Sequence, residues 1–156
     1  KEKEYSLILA HYLYFEVKNI EDIVANASKV LSKDGVFSYN GYAINWWYTY
    51  FLKDFKAMGL DTSFIDAGIK AQQKAQRESE EMLKKYFSKI EGVELGNSWH
   101  YNNSEDIVEK MLENFEDNKK YILDNKKIIK EYYDAKIKKD GEIVCDRISV
   151  FWNCYK

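Results

Sequence analysis

The chain has 156 residues, of which 46% are hydrophobic and 32% charged, and its formal net charge is −2. This length and composition are typical of a single globular domain with a buried core, and the charge balance disfavours a nucleic-acid-binding protein. No apolar run is long enough to span a membrane and no signal-peptide pattern is present, so we expect a cytoplasmic protein without nucleic-acid or membrane partners.

The first predicted strand lies in the stretch from Tyr5 to Phe15 and ends in a cluster of aromatic residues around His11. It is apolar at every position from Leu7 to Ala10, which is typical of a strand covered on both faces in a parallel sheet. An apolar strand left at a sheet edge is an aggregation hazard. We therefore predict an interior strand that pairs on its open side with a preceding segment or with a second copy of the chain.

A helix and a second strand follow. Asn19 is a favourable N-cap for a helix over Asn19–Leu31, the turn Lys33–Gly35 comes next, and Val36–Tyr39 is a second apolar run. The pattern predicts a strand–helix–strand unit with parallel strands. Ligands of such sheets bind at the carboxyl ends of the strands, which here places them beside His11.

The middle of the chain is predicted to be helical. A ring-rich segment over Ile44–Met58 should be a helix that Gly59 ends, followed by a loop over Leu60–Gly68 and a second helix over Ile69–Phe87 with an exposed early half. The apolar stripe of the first of these helices consists of Trp47, Phe51 and Phe55.

The last third begins with a predicted turn at Glu91-Gly92 and a strand over Val93–Tyr101 with a bulge at Gly96-Asn97. Ser104 is the predicted N-cap of the next helix, and Asn118–Lys138 is predicted as one further charged helix. The apolar stripe of the helix after Ser104 consists of Ile107, Val108, Met111, Leu112 and Phe115.

After a turn at Asp140-Gly141, residues 142–155 alternate in the manner of a strand. This segment is either one long bent strand or a hairpin that turns near Asp146-Arg147. The elements add up to an α/β fold of about four strands and four to five helices, with a parallel unit, an antiparallel end and helices on both faces.

Several segments resemble a known family in both order and spacing. They are Leu9-Ala-His-Tyr-Leu-Tyr-Phe15, the capped helix, Val30-Leu-Ser-Lys-Asp-Gly35 and Val36–Tyr39. Together they resemble the fourth strand, fourth helix and fifth strand of class I S-adenosylmethionine-dependent methyltransferases. Asn40-Gly-Tyr-Ala-Ile-Asn-Trp46 resembles the stretch after the fifth strand in a branch that acts on small molecules. Lys139–Gly141 leading to Ser149–Phe151 resembles the closing hairpin.

The resemblance implies a site made of aromatic and backbone groups. Ala10, His11 and Tyr12 would lie near the methionine part of S-adenosylmethionine. The residues that would line the substrate pocket are Tyr14, Phe15, Tyr42, Asn45, Trp46 and Trp47. No catalytic acid or base is expected, because the sulfonium is already a strong electrophile and the enzyme mainly aligns the acceptor and excludes water.

The sequence departs from the family at the cofactor loop. The family holds its cofactor with a glycine-rich loop, whereas this chain has seven glycines and no G-x-G pattern. We therefore interpret residues 1–156 as a single partial domain without the N-terminal cofactor-binding half, inactive alone and not expected to bind S-adenosylmethionine. Its parts are the strand–helix–strand unit (1–40), a helical insertion or lid (41–91) and the C-terminal strands and helices (92–156).

Alternatives remain open from sequence. His11 is equally interpretable as a strand-end histidine with a structural hydrogen bond, and the aromatic residues as helix core. Neither His11 nor His100 has a metal-ligand pattern around it, and Cys145 and Cys154 are interpreted as buried thiols. For the whole chain, the rival functions are a non-enzymatic α/β interaction module that pairs through a strand edge and a degenerate Rossmann-like domain with a different ligand.

Overall fold

The computed structural model describes residues 4–13, 16–45 and 47–156, except for the side chains of residues 42–45 and 47. The described part is an α/β protein, as predicted, and none of its helices is long and apolar enough to cross a membrane. Its elements are β1 (Tyr5–His11), α1 (Ile20–Val30), β2 (Leu31–Asn45), α2 (Trp47–Ala57), α3 (Ser63–Tyr86), β3 (Lys89–Tyr101), α4 (Ser104–Asn114), a 3-10 turn (Glu116–Asn118), α5 (Lys119–Asp124), α6 (Lys126–Asp140) and β4 (Ile143–Tyr155).

The four strands form one mixed sheet in the order β1-β2-β4-β3. β1 and β2 are parallel, with Ala10 beside Tyr39 and His11 beside Asn40, so the predicted parallel strand–helix–strand unit is confirmed. Within the described residues β1 is an edge strand, so the preceding segment or second copy expected to pair on its open side stays a prediction.

The predicted antiparallel end is also confirmed. Ser98 Oγ lies 2.7 Å from Asp146 and His100 Nδ1 lies 2.9 Å from Glu142, while Tyr155 bonds to Glu91 near the other end of β3. As the residue number rises along β3, the residue number of the partner on β4 falls, so the two strands are antiparallel. Of the two alternatives for the last segment, the single long strand is right and the hairpin is wrong.

A bulge replaces the predicted turn at Lys33–Gly35. β2 begins at Leu31, and its pairing with β1 shifts register between Tyr5 and Leu7. Gly35 is required there by space, because a Cβ on it would lie 2.9 Å from the carbonyl oxygen of Tyr5 and 2.8 Å from Ser32 Oγ. The strand passes through this segment because glycine lets the two backbones approach.

Gly35→Ala should therefore destabilise the protein by about 1–3 kcal/mol, since backbone, and not the end of a flexible side chain, has to move. Gly96→Ala is the matched control, as it also lies in a strand and its Cβ would meet nothing within 4 Å. Urea unfolding of the two variants measures the difference. Equal midpoints would show that the close approach at Gly35 has no energetic consequence.

The chain divides into two compact units. One comprises Lys1–Ile44, Lys70–Gly96 and Ile148–Lys156, and the other comprises Asn45–Ile69 and Asn97–Arg147. We refer to them as unit 1 and unit 2. The fully or nearly buried core of unit 1 is Ala10, Val24, Ala27, Leu31, Phe37, Tyr39, Met82, Leu83, Phe87 and Cys154.

Both helices of unit 1 pack on one side of the β1–β2 pair. Ala10 on β1 points to the same side as Tyr39 on β2, and both belong to one cluster with Val24 of α1 and Leu83 of α3. The expected helix on the opposite side is absent from the described elements of this unit. Leu7 and Leu9 on that opposite side are 56% and 58% exposed.

The N-cap of α1 is as predicted. Asn19 Oδ1 accepts a hydrogen bond from the backbone N–H of Glu21, and its Nδ2 donates to Asp22. The first of these bonds satisfies a backbone N–H that the helix end leaves without an intrahelical partner. The side chain of Asn19 therefore fixes where the chain that leaves β1 turns into α1.

Gly59 ends α2, as predicted. Its φ is +70°, and the bonds from Gly59 N to Lys56 O and from Leu60 N to Phe55 O form a Schellman motif. The loop predicted over Leu60–Gly68 is wrong, because α3 already starts at Ser63.

The early start of α3 has a local cause. The carboxylate of Asp61 accepts hydrogen bonds from both the backbone N–H and the hydroxyl of Ser63. Ile65 in this first turn is fully buried in unit 2. A capping carboxylate and one core residue were enough to extend the helix beyond the segment with the strongest intrinsic propensity.

Three further boundaries differ from prediction. The N-cap of α4 is Asn103, not Ser104, since Asn103 Oδ1 accepts from the N–H of Asp106 at 2.9 Å. The helix predicted over Asn118–Lys138 is divided at Asn125, whose amide donates to the carbonyl of Tyr121 and competes with the regular pattern. The predicted turn at Glu91-Gly92 is part of β3.

Two other predictions for unit 2 are confirmed. Gly141 follows α6 with a φ of +86°, in agreement with a turn at that point. The stripe of α4 is buried except at half-buried Leu112. The core of this unit is Phe51, Phe55, Ile65, Ile107, Val108, Met111, Phe115, Ile122, Ile129, Tyr133, Ile143 and Cys145.

Candidate functional site

The carboxyl ends of β1 and β2 bring polar and aromatic side chains of unit 1 together. A hydrogen bond of 2.9 Å joins His11 Nε2 to Ser38 Oγ, and the ring of Phe151 on β4 packs edge-on against the His11 ring at 4.9 Å. His11, Ser38 and Asn40 lie on the same side of the sheet, since His11 is beside Asn40 and Ser38 is two residues earlier in β2. We call these four residues and Tyr12 the His11 cluster.

A bonded serine and histidine also occur in enzymes that use a serine nucleophile. Ser38 is buried within a strand, and His11 has no hydrogen bond to a carboxylate among the described residues. The group that orients the histidine in such enzymes is therefore not found in the described part, and the pair is better explained as fixing the His11 ring.

Tyr12 has a backbone conformation that is rare for a residue with a side chain. Its φ is +60°, in the left-handed region, and among the described residues it is the one non-glycine with positive φ. Its ring lies edge-on to Phe151 at 6.4 Å. Such a conformation costs about 1–2 kcal/mol and is found preferentially at functional sites. The strain here falls directly after His11, at the strand end where ligands of parallel sheets bind.

Asn40 carries an acceptor without a partner in the described part. Its side chain is fully buried, its Nδ2 donates to the carbonyl of Val150 at 3.0 Å, and its Oδ1 has no hydrogen bond. A buried carbonyl group left in this state costs about 1–3 kcal/mol. The His11 cluster therefore contains a buried hydrogen-bond acceptor that has no donor among the described residues.

The predicted cofactor residues fall on two sides of the sheet. Ala10 is 1% exposed and points into the core of unit 1, so only its backbone could contact a ligand. His11 points to the opposite side, and Tyr12 is partly exposed beyond the strand end.

The predicted substrate residues stay predictions. Tyr14, Phe15 and Trp46 lie outside the described residues, and the side chains of Tyr42, Asn45 and Trp47 are not described. Phe151 and Asn40 were missed by sequence reasoning. Phe151 was placed in a strand without a role, and nothing in its spacing connects it with His11.

A groove of about 500 Å³ lies in unit 1 between the start of α1 and the middle of α3. Tyr39, the neighbour of Ala10 in the sheet, contributes to its wall. Its other lining residues are Val17, Lys18, Asn19, Ile20, Glu21, Ala75, Glu78, Ser79, Glu81, Met82 and Lys85. The volume suits a small molecule. Sequence reasoning missed the groove, because a helical period does not tell which helix faces which strand.

One side of the groove is held by an ionic contact. Glu21 accepts hydrogen bonds from Lys85 Nζ at 3.1 Å and from the Tyr86 hydroxyl at 3.0 Å. The Lys85 ammonium, followed by the Tyr86 hydroxyl, lowers the pKa of Glu21 below its usual value. This contact connects α1 to α3 and leaves both charges at the rim of the groove.

Unit 2 contains a separate buried polar network around Asp54. Its carboxylate accepts hydrogen bonds from the hydroxyls of Tyr132 and Tyr133 at 2.8 and 2.9 Å and from Lys136 Nζ at 3.0 Å. The Lys136 ammonium also lies over the rings of Tyr50, Tyr132 and Tyr133. Burial, together with the bond to Asp54, raises the pKa of Tyr132 to about 12. Every group of this network has a partner, so we interpret it as structural.

The cysteines are buried and free, as predicted. Burial raises the pKa of both Cys145 and Cys154 to about 12, so neither is a thiolate near neutral pH. Among the residues described, no three His, Cys, Asp or Glu side chains lie together in a way that could hold a metal ion.

The site therefore consists of aromatic rings, one fixed histidine and one buried amide oxygen without a described partner, at the carboxyl ends of two parallel strands. Such an arrangement can bind and orient an organic ligand. No protein-family model matches the chain, and no curated protein sequence matches it significantly.

Proposed function

We propose that this chain is the C-terminal part of an S-adenosylmethionine-dependent methyltransferase that acts on a small molecule and is inactive without a cofactor-binding N-terminal part. The observation that carries the proposal is the parallel β1–α1–β2 unit, with Ala10-His11-Tyr12 at the carboxyl end of β1, followed by an antiparallel β3–β4 pair beside β2. This is the succession of elements that the sequence resemblance implies.

The chemistry of the His11 cluster supports the proposal. Methyl transfer from a sulfonium needs an aligned acceptor and exclusion of water more than it needs an acid or a base. The rings of Tyr12 and Phe151 beside His11 provide π faces, which favour a cationic methyl donor.

The edge position of β1 supports the proposal that a cofactor-binding N-terminal part belongs to this protein. Its residues are apolar on both sides, yet its Leu7 and Leu9 are more than half exposed. A strand of this composition is typical of the interior of a parallel sheet. A further strand on the free side of β1 and a helix over Leu7 and Leu9 would supply what an interior strand needs.

Titration calorimetry with S-adenosylmethionine tests the proposal. Residues 1–156 should not bind it measurably, whereas the protein encoded by the complete reading frame should bind it. In that longer protein His11→Ala should weaken binding, and His100→Ala should not, because His100 is exposed and bonded to Glu142. Clear micromolar binding by residues 1–156 alone, or no binding by the longer protein, would contradict the proposal.

A second candidate function is a non-enzymatic interaction module that pairs through the β1 edge. The exposure of Tyr5, Leu7 and Leu9 favours it. It differs from the first in its expected result, since neither residues 1–156 nor the longer protein would then bind S-adenosylmethionine.

A further inference from the structure

The groove of unit 1 contains a buried polar side chain without a described partner. Ser79 of α3 lines the groove and is 8% exposed, and its hydroxyl forms no hydrogen bond with a described residue. A Cβ on Gly41 of β2 would lie 3.4 Å from Ser79 Oγ and 3.2 Å from the ring of Tyr39, so the hydroxyl lies beside the sheet. A buried hydroxyl is stabilised when a molecule in the groove bonds to it.

The walls next to this hydroxyl are apolar. Val17 and Ile20 line the groove from the side of α1, and Met82 lines it from α3. Met82 and Tyr39 belong to the buried core of unit 1. A volume of about 500 Å³ with such walls is in the range of small organic ligands. A molecule that fits the groove therefore has an apolar body.

The charged side chains of the groove carry a net negative charge. Its carboxylates are Glu21, Glu78 and Glu81, and its ammonium groups are Lys18 and Lys85. Lys85 Nζ bonds to Glu21 at 3.1 Å, so these two charges offset each other. The carboxylates of Glu78 and Glu81 then exceed the single charge of Lys18, and this excess favours a cation.

Neither a partner outside the groove nor the start of α1 reverses this preference. Glu78 also contacts Lys74 at 3.6 Å, but the two side chains are 61% and 71% exposed, and such surface pairs contribute little. A helix N-terminus usually attracts anions. Here Asn19 already accepts a bond from the N–H of Glu21, and Glu21 and Asp22 place two carboxylates in the first turn.

We propose that the groove binds a small organic amine with an apolar body, in its ammonium form. Glu78 and Glu81 are three residues apart in α3 and are neighbours on its surface, as are Ser79 and Met82. The ammonium group would donate to the two carboxylates and to the Ser79 hydroxyl, and the apolar body would lie against Met82 and Tyr39. An ammonium group has three donors, which matches these three acceptors.

The amine site does not depend on the proposed function. Its wall includes Tyr39, which lies on the helix side of the sheet, whereas His11 points to the opposite side. Residues 1–156 contain every residue that lines the groove, so its ligand can be tested without S-adenosylmethionine. Failure of the amine site and failure of cofactor binding by the longer protein are therefore separate results.

Nuclear magnetic resonance titration of ¹⁵N-labelled residues 1–156 at neutral pH is the test. The probes are 2-phenylethylamine, 2-phenylethanol and phenylacetate, which share an apolar group and differ in charge. The amine should bind about tenfold more tightly than phenylacetate, with the alcohol between them, and its shifts should be concentrated at the groove. Absence of amine binding at millimolar concentration, or binding no tighter than that of either other probe, would overturn the proposal.

Two variants identify the groups that hold the amine. Glu81→Gln and Ser79→Ala should each weaken amine binding about three- to fivefold, and only Ser79→Ala should also weaken binding of the alcohol. Glu80→Gln is the matched control, because Glu80 is the adjacent residue, bonds to Lys84 and does not line the groove. Circular dichroism checks that all three variants are folded. Amine binding that is unchanged in Ser79→Ala, or equally weakened in Glu80→Gln and Glu81→Gln, would contradict the assignment.

Discussion

Asp54→Ala should cost about 3–5 kcal/mol of the free energy of unfolding, which is enough to unfold a marginally stable domain. The Asp54 side chain is 5% exposed and pairs with Lys136. Its removal leaves that ammonium and two tyrosine hydroxyls, Tyr132 and Tyr133, without their acceptor in unit 2. Groups buried without a partner lose hydration and gain nothing in return.

Asp124→Ala is the matched control, since Asp124 pairs with Lys120 on the exposed surface of α5. It should change the free energy of unfolding by less than about 1 kcal/mol. Chemical denaturation of both variants measures the two values. The double change Asp54→Leu/Lys136→Met should recover part of the loss, because it removes the lone charge. If Asp54→Ala lost no more than Asp124→Ala, the network would have no structural role.

Phe37→Ala should destabilise unit 1 by about 3–5 kcal/mol. Phe37 is fully buried in β2, and its ring stacks on that of Phe87 at 5.2 Å. Truncation would leave a cavity between the sheet and α3, where neighbouring core residues are held by two helices and cannot fill it.

Leu95→Ala on β3 is the comparison for Phe37→Ala, because Leu95 is 54% exposed and loses little contact. It should lower the free energy of unfolding by less than about 0.5 kcal/mol. Thermal and urea unfolding, followed by circular dichroism, distinguish the two variants. Similar losses for both would show that the contact of Phe37 with Phe87 is not part of a tightly packed core.

The sequence was sufficient to predict features that depend on the chemistry of neighbouring residues or on the periodicity of apolar residues. Asn19 and Gly59 have the geometry of the caps that they were predicted to be. The alternation after Gly141 and the apolar run at Leu7–Ala10 identified β4 and β1. In each case a few neighbouring residues determine the backbone, so the signal lies within one window of sequence.

Features that depend on distant partners could not be predicted. Gly35 was interpreted as part of a turn, although its role is to let β2 approach the carbonyl of Tyr5. Phe151 contacts His11 only because β4 lies beside β2, and no local pattern encodes that order. Asp54 is polar among the rings of α2, and its partners come from α6, far along the chain.

The most direct measurement of the central claim is the sequence of the coding region upstream of Lys1. The proposed function predicts a continuous reading frame there that encodes an apolar strand followed by a G-x-G loop and a helix, the arrangement that binds an adenosine-containing cofactor. A start codon directly before Lys1, or an upstream frame without such a strand and loop, would contradict the account.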